Sequence, residues 1–233
     1  MDTIPFHEVR LAAYCRRKLY YRRRSDRGDG VLDGPQSAPD DDPPPSARDV
    51  RALASEYPAL LERSEAALAR EPIRIDPQTY RSRLERTRRR LDRWAELVDP
   101  PRSGAFVRGR RCHGVIDKVL EDPLAPSLVS AARPPPRGVW RRQSVHAVAA
   151  AKALAWEHGR AVDRAFVEYP AYGVVRPVRI DLRRRIAYRR ALRGARERDD
   201  PPRRTWNRAK CESCEYAGEC GVRTRTLRSL LGR

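Results

Sequence analysis

Residues 105–122 read AFVRGRRCHGVIDKVLED, and their apolar side chains recur with a period near two after the break at Pro100-Pro101. That alternation predicts a strand with one face turned to a core. A few residues on, PSLVSA (126–131) is short and apolar throughout, as a neighbouring, central strand would be. The Pro-rich RPPPRG (133–138) then predicts a turn. From Trp140, QSVHAVAAAKALAWEHG is Ala-rich and predicts a tightly packed helix ended by Gly159. AFVEY (165–169) and VVRPVRI (174–180) predict two more strands joined by Pro170-Ala-Tyr-Gly173, and a basic helix is expected from about Leu182 to Arg198. Strand, strand, helix, strand, strand, helix is the order of an α/β unit, a mixed sheet flanked by helices.

Upstream of this core the pattern is helical. The first 24 residues place Phe6, Val9, Ala13 and Leu19/Tyr20 on one side, with Cys15-Arg-Arg-Lys-Leu-Tyr-Tyr near the helix end. Residues 47–70 and 77–98 predict two amphipathic helices, through Val50, Leu53, Tyr57 and Leu60 in one and Tyr80, Leu84, Leu91 and Trp94 in the other. The second carries Arg81, Arg83, Arg86, Arg88, Arg89, Arg90 and Arg93, guanidinium groups suited either to phosphate or to a solvated face. Between them, residues 25–46 are rich in Pro, Gly and Asp and predict a mobile surface loop, with Asp40-Asp41-Asp42 read as solvated linker and not as a metal site. The chain divides into a helical region at 1–100, an α/β core at 101–198 and a cysteine-bearing segment at 199–233.

Fifty Lys and Arg face only 31 Asp and Glu, a formal charge of +19 on 233 residues. Such an excess points to a polyanionic partner, with nucleic acid the natural candidate. No stretch approaches the roughly 20 apolar residues that span a bilayer, and MDTIPFHEVRLAAYC lacks a signal-peptide core, so a cytoplasmic location without membrane contact is expected.

Five cysteines, an odd number in a reducing compartment, argue for ligation over disulfides. Cys211-x2-Cys214-x5-Cys220 can aim three thiolates at one centre, and a four-iron cluster held by cysteine needs a fourth. Cys15, in the basic Cys-Arg-Arg-Lys, is the better candidate, because neighbouring positive charge stabilises a thiolate. Cys112 lies in the predicted strand and is expected to be a buried free thiol. Four cysteines also suit zinc, but zinc sites usually show two close pairs, and one triple plus a distant cysteine favours a [4Fe–4S] cluster.

Cys15-Arg-Arg-Lys-Leu-Tyr-Tyr, Gly114-Val-Ile-Asp117, Gln143 and the Cys211, Cys214, Cys220 triple together resemble the CRISPR-associated, RecB-like exonucleases with a four-cysteine cluster. The matching pieces span most of the chain. The resemblance implies a PD-(D/E)XK nuclease-like mixed sheet flanked by helices, with an N-terminal helical region and a C-terminal cysteine-cluster segment. It implies a structural [4Fe–4S] cluster on Cys15, Cys211, Cys214 and Cys220, Asp117 as a ligand of Mg2+ or Mn2+, and Gln143 as a catalytic-site residue. It also implies single-stranded DNA as substrate and CRISPR adaptation proteins as partners.

The departures from that family bear on activity. Active members carry Glu-x-Lys on the strand after the aspartate motif, where this chain has Ser130 and Ala132, and Ala147 stands at the tyrosine position of the Gln-x-x-x-Tyr motif. Metal-dependent phosphodiester hydrolysis usually needs two or more carboxylates, and Asp117 alone is a weak site. Glu121, Asp122 and Glu168 are the candidates for a migrated second carboxylate. His113 is expected to be structural or DNA-facing, being roughly 13 Å from Asp117 along a strand. The sequence therefore supports two readings, a metal-dependent DNA exonuclease and a degenerate nuclease fold that grips DNA without cutting it.

Overall fold

A computed structural model of the chain describes residues 3–26, 47–197, 200–212 and 214–221. Most of the expected surface loop, including Asp40-Asp41-Asp42, lies outside the described residues. The chain begins with a two-residue strand, β1 (Ile4–Pro5), then helices α1 (Phe6–Tyr14) and α2 (Arg16–Asp26). Helices α3 (Ala47–Ala52), α4 (Tyr57–Glu62), α5 (Glu65–Leu68), α6 (Pro77–Arg90) and α7 (Trp94–Val98) follow. The core then runs β2 (Arg102–Arg108), β3 (Cys112–Glu121), β4 (Leu124–Val129), α8 (Arg141–His158), β5 (Arg164–Tyr169), β6 (Val174–Arg179) and α9 (Leu182–Arg196). This is the expected mixed sheet flanked by helices: β2, β3 and β4 pair antiparallel, β5 is parallel to β4 across α8, and β6 is antiparallel to β5.

The stretch 105–122 is two strands, turned at Gly109-Arg110-Arg111, and Gly109 is required there because a Cβ would lie 2.6 Å from the Cα of Ala153 in α8. β4 is buried at all six positions, which its apolar run and central place between β3 and β5 both demand. Helices also divide more finely than their periodicity suggests. Cys15 takes an extended conformation (φ −158°, ψ 117°) that separates α1 from α2. Pro58 opens α4, and Ser64 caps α5 by accepting from the Ala67 N–H, so 47–70 is a chain of short helices. Asp76 caps α6 through the Thr79 N–H, and the helix ends at an extended Leu91 before α7. Among the described residues no helix is long and apolar enough to cross a membrane.

The sheet forks at β3. His113 pairs with Arg108 of β2 and with Pro5 of β1, while Lys118 pairs with Ser103 of β2 and with Ser127 of β4. A strand has two edges, so β1 and β4 share one of them, β1 at Cys112–His113 and β4 at Lys118–Glu121. Residues 114–117 lie in the gap between. Gly114 fits there because a Cβ would meet the Phe6 ring at 2.5 Å, and its φ of 155° is one that a side chain disfavours.

Lys118 and Glu168 form an ion pair (3.0 Å) with side chains 6% and 0% exposed. The Lys118 ammonium also donates to the carbonyls of Ala54 (2.7 Å) and Leu97 (2.8 Å), and the Ser127 hydroxyl donates to the other carboxylate oxygen of Glu168 (2.7 Å). Burial pushes the Glu168 carboxyl above its ordinary range, and Lys118 and Ser127 pull it back. We predict that Glu168→Gln, which leaves the ammonium buried without its anion, lowers stability by about 3–5 kcal/mol in urea unfolding. Equal stability of Glu168→Gln and wild type overturns this assignment.

Candidate functional site

The cysteines come together first through backbone geometry. The extended Cys15 interrupts two helices, while a short helix, α10 (Ala209–Glu212), and the turns after it carry Cys211, Cys214 and Cys220. The Cys214 N–H bonds the Cys211 carbonyl (3.2 Å), the Ala217 N–H the Cys214 carbonyl (3.0 Å), and the Cys220 N–H the Tyr216 carbonyl (2.8 Å). These consecutive tight turns set three thiols around one pocket, and Cys15 lines the same pocket from the other end of the chain.

Several contacts fasten those ends to each other. The Lys210 ammonium donates to the Tyr14 carbonyl (2.9 Å) and lies 4.8 Å from its ring centre. Lys18 pairs with Glu215 (2.6 Å), the Tyr21 hydroxyl donates to the Glu219 carbonyl (3.1 Å), and the rings of Tyr21 and Tyr216 stack at 6.0 Å. Arg17, Lys18, Arg204 and Lys210 line the pocket with the four cysteines. Burial raises the Cys220 thiol, while Arg17 and Arg204 act the other way. Four soft donors with cations around them are the donor chemistry that an iron–sulfur cluster takes. Among the described residues no three His, Cys, Asp or Glu side chains are gathered closely enough to hold a single metal ion.

Cys112 stands apart from the pocket. It is 1% exposed, with Sγ 3.6 Å from the Ala149 carbonyl and 3.3 Å from the Tyr188 hydroxyl, and burial raises its thiol.

Asp117 occupies the fork of the sheet. Its Oδ2 accepts from the Val129 N–H (2.8 Å), a donor on β4 at the point where that strand has left β3 for β5. Its Oδ1 accepts from Arg51 of α3 (2.6 Å). Gln143, at the start of α8, donates to Ser130 Oγ (2.7 Å), and its Oε1 accepts from the Trp140 N–H (3.2 Å) and the Tyr169 hydroxyl. A tyrosine thus reaches Gln143 from β5, although α8 has Ala147 where a helical partner would stand.

The candidate second carboxylates lie elsewhere. Glu168 goes with Lys118, and Lys118 follows Asp117 on β3, so the two carboxyl groups face opposite sides of the sheet. Glu121 is exposed and near Arg102 (3.8 Å), four residues and roughly 13 Å along the strand from Asp117, with Asp122 beyond it. His113 Nδ1 is 2.8 Å from the Thr3 hydroxyl. With one carboxylate whose two oxygens are already bonded, the fork does not fit a Mg2+ or Mn2+ cage.

The periodicity reading missed Arg51 and Arg10, which approach Asp117 from α3 and α1, and His146 of α8, which lies near both arginines. Two arginines of α6 and its end are spent internally: Arg81 donates to the Arg63 carbonyl, and Arg93 pairs with Glu96 and donates to the Pro123 carbonyl. No protein-family model matches the chain, and no curated protein matches it.

His146 Nε2 is shielded from solvent and has no hydrogen-bond partner among the described residues. Its ring lies 5.7 Å from that of Phe6, and burial first, then Arg10, Arg51 and His7, lowers its pKa from 6.5 to about 3. The folded chain therefore holds His146 neutral while the unfolded chain protonates it. That contribution is complete above pH 6.5 and declines as pH falls toward 3. We predict that His146→Gln flattens the acid limb of the stability curve by up to about 1.4 kcal/mol per pH unit between pH 6 and 4, and superimposable limbs count against it.

Proposed function

We propose that the chain is a PD-(D/E)XK nuclease-like protein, stapled by a [4Fe–4S] cluster on Cys15, Cys211, Cys214 and Cys220, that binds single-stranded DNA without hydrolysing it at Asp117. The observation that carries the reading is the meeting of those four cysteines, from opposite ends of the chain, on one cation-lined pocket. A cluster there would ligate both ends at once, so its binding energy becomes folding energy. The residues of the chain prepare the site in advance: Lys210, Lys18 and Tyr21 hold the ends in register, and Arg17 and Arg204 stabilise thiolate charge.

DNA binding is supported by the surplus of 50 basic over 31 acidic residues. The loss of cleavage follows from the chemistry of the fork. Asp117 gives its oxygens to Arg51 and the Val129 N–H, Ser130 accepts from Gln143, and Ala132 offers no proton-transfer group. What remains is a cationic, hydrogen-bonded notch suited to holding a phosphate and unsuited to readying a water.

Protein purified without oxygen is expected to be brown, with about four irons per chain, to bind labelled single-stranded DNA, and to leave it intact with Mg2+ or Mn2+. Cys214→Ser is expected to lose the iron and become protease-sensitive, and Asp117→Ala to bind DNA as wild type does. Metal-dependent cleavage abolished by Asp117→Ala establishes the exonuclease instead, and colourless protein containing zinc overturns the cluster.

A further inference from the structure

Helix α6 lies against the edge strand β6, and between them runs an open groove of about 1670 Å³. Its size exceeds the roughly 300–1,000 Å³ of small-molecule pockets, which points to an extended ligand. Arg83, Arg86 and Arg90 line it from α6, and Arg176 and Arg179 from β6. Arg133 and Trp140 line it too. None of these six arginines makes an ion pair among the described residues, and the Nε of Arg176 is shielded from solvent without a hydrogen-bond partner. A further lining arginine, Arg164, is paired with Asp92 (3.2 Å), and Asp163 is the other acid on the wall.

Trp140 is 45% exposed. Its indole N–H donates to the Arg133 carbonyl (2.7 Å), and its backbone N–H to Gln143 (3.2 Å). The ring is therefore held in place with part of its surface facing solvent, as a stacking platform must be. Through Gln143 and Ser130 it adjoins the fork that holds Asp117.

We infer that this groove is the docking surface for one strand of nucleic acid, with its phosphates along the arginines of α6 and β6 and a base stacked on Trp140. The inference rests on the DNA-binding reading above and adds the place, the contacts and the strandedness. Two unpaired rows of guanidinium groups complement a phosphate backbone, and an exposed indole complements a base that has left its duplex. Backbone contact of this kind carries no base sequence, so binding is expected to be sequence-tolerant.

The test uses the full-length, cluster-loaded protein and a labelled oligothymidylate, titrated over a series of salt concentrations. Six phosphate contacts give a slope of about −4 in log affinity against log salt. Arg83→Ala with Arg86→Ala and Arg90→Ala is expected to make the slope shallower by about 2 and to weaken binding on the order of a hundredfold near 0.1 M salt. Trp140→Ala is expected to weaken it about tenfold, and Trp140→Tyr to restore most of the loss. Iron content and circular dichroism equal to wild type verify folding of each variant.

Wild-type binding with unchanged affinity and slope in the triple variant overturns the groove and leaves the DNA-binding reading standing. Equal competition by duplex DNA overturns the single-strand assignment. Wild-type protein that binds no DNA overturns the DNA-binding reading and this inference together.

Discussion

The ammonium of Lys118 is the point on which the two halves of the fold converge. It stands on β3, takes the carboxylate of Glu168 from β5 across the buried β4, and donates to the carbonyls of Ala54 and Leu97 in the helical region. Carbonyl groups at the ends of short helical segments otherwise lack partners, and burying them without one is costly. One charged group satisfies two of them and registers three strands. Apolar residues could fill the same space, but they would leave those carbonyls bare and would fix no register. The pair is therefore best understood as setting the geometry between helices and sheet, with little net stabilisation of its own.

That geometry governs the fork. Because Lys118 holds β3 to β4 at the Ser127 pairing, and β1 takes the same edge of β3 six residues earlier, the two neighbours must part between them. Asp117 fills the opening with a side-chain hydrogen bond where a strand would have supplied a backbone one. Adjacent residues on one strand thus do opposite things. Lys118 is buried and saturated, and Asp117 faces arginines of two helices, Arg51 of α3 and Arg10 of α1.

The alternation in 105–122, the apolar run of β4 and the Ala-rich α8 were legible in the sequence because each reflects burial on one or both faces of a single element. Gly159 in a left-handed conformation ends α8 as its position implies. What periodicity does not carry is pairing between distant segments. β1 is two residues long and has no period to read, although it defines the fork. Arg51 and Arg10 look like ordinary helical residues until the fold brings them to Asp117. Glu168 looked available as a ligand because its sequence says nothing of Lys118. The signal was present in the Asp-Lys dyad itself, since a lysine on the inward face of a strand needs a buried anion. The cysteine spacing was more informative, for the close triple is a local feature and only Cys15 had to be sought at a distance.

The closure of the chain ends is less demanding than their separation in sequence suggests. Lys210 and Tyr14 are separated by 196 positions, but α1 already packs on α8 and α9, so the segment left to close runs only from the end of α9 at Arg196 to Lys210, at roughly 2 kcal/mol of chain entropy by the logarithmic loop-closure relation. The contacts that join them include one ammonium on a carbonyl, an ion pair, a tyrosine hydroxyl, a ring stack and the Arg17 guanidinium on the Pro202 carbonyl (3.2 Å). Hydrogen bonds and exposed ion pairs of this kind contribute about 1 kcal/mol each or less, so the joint is held by several weak contacts and not by one strong one. Cations also line the cysteine pocket: Arg17, Lys18, Arg204 and Lys210 surround the four cysteines, and Arg17 and Arg204 oppose the burial that raises the Cys220 thiol.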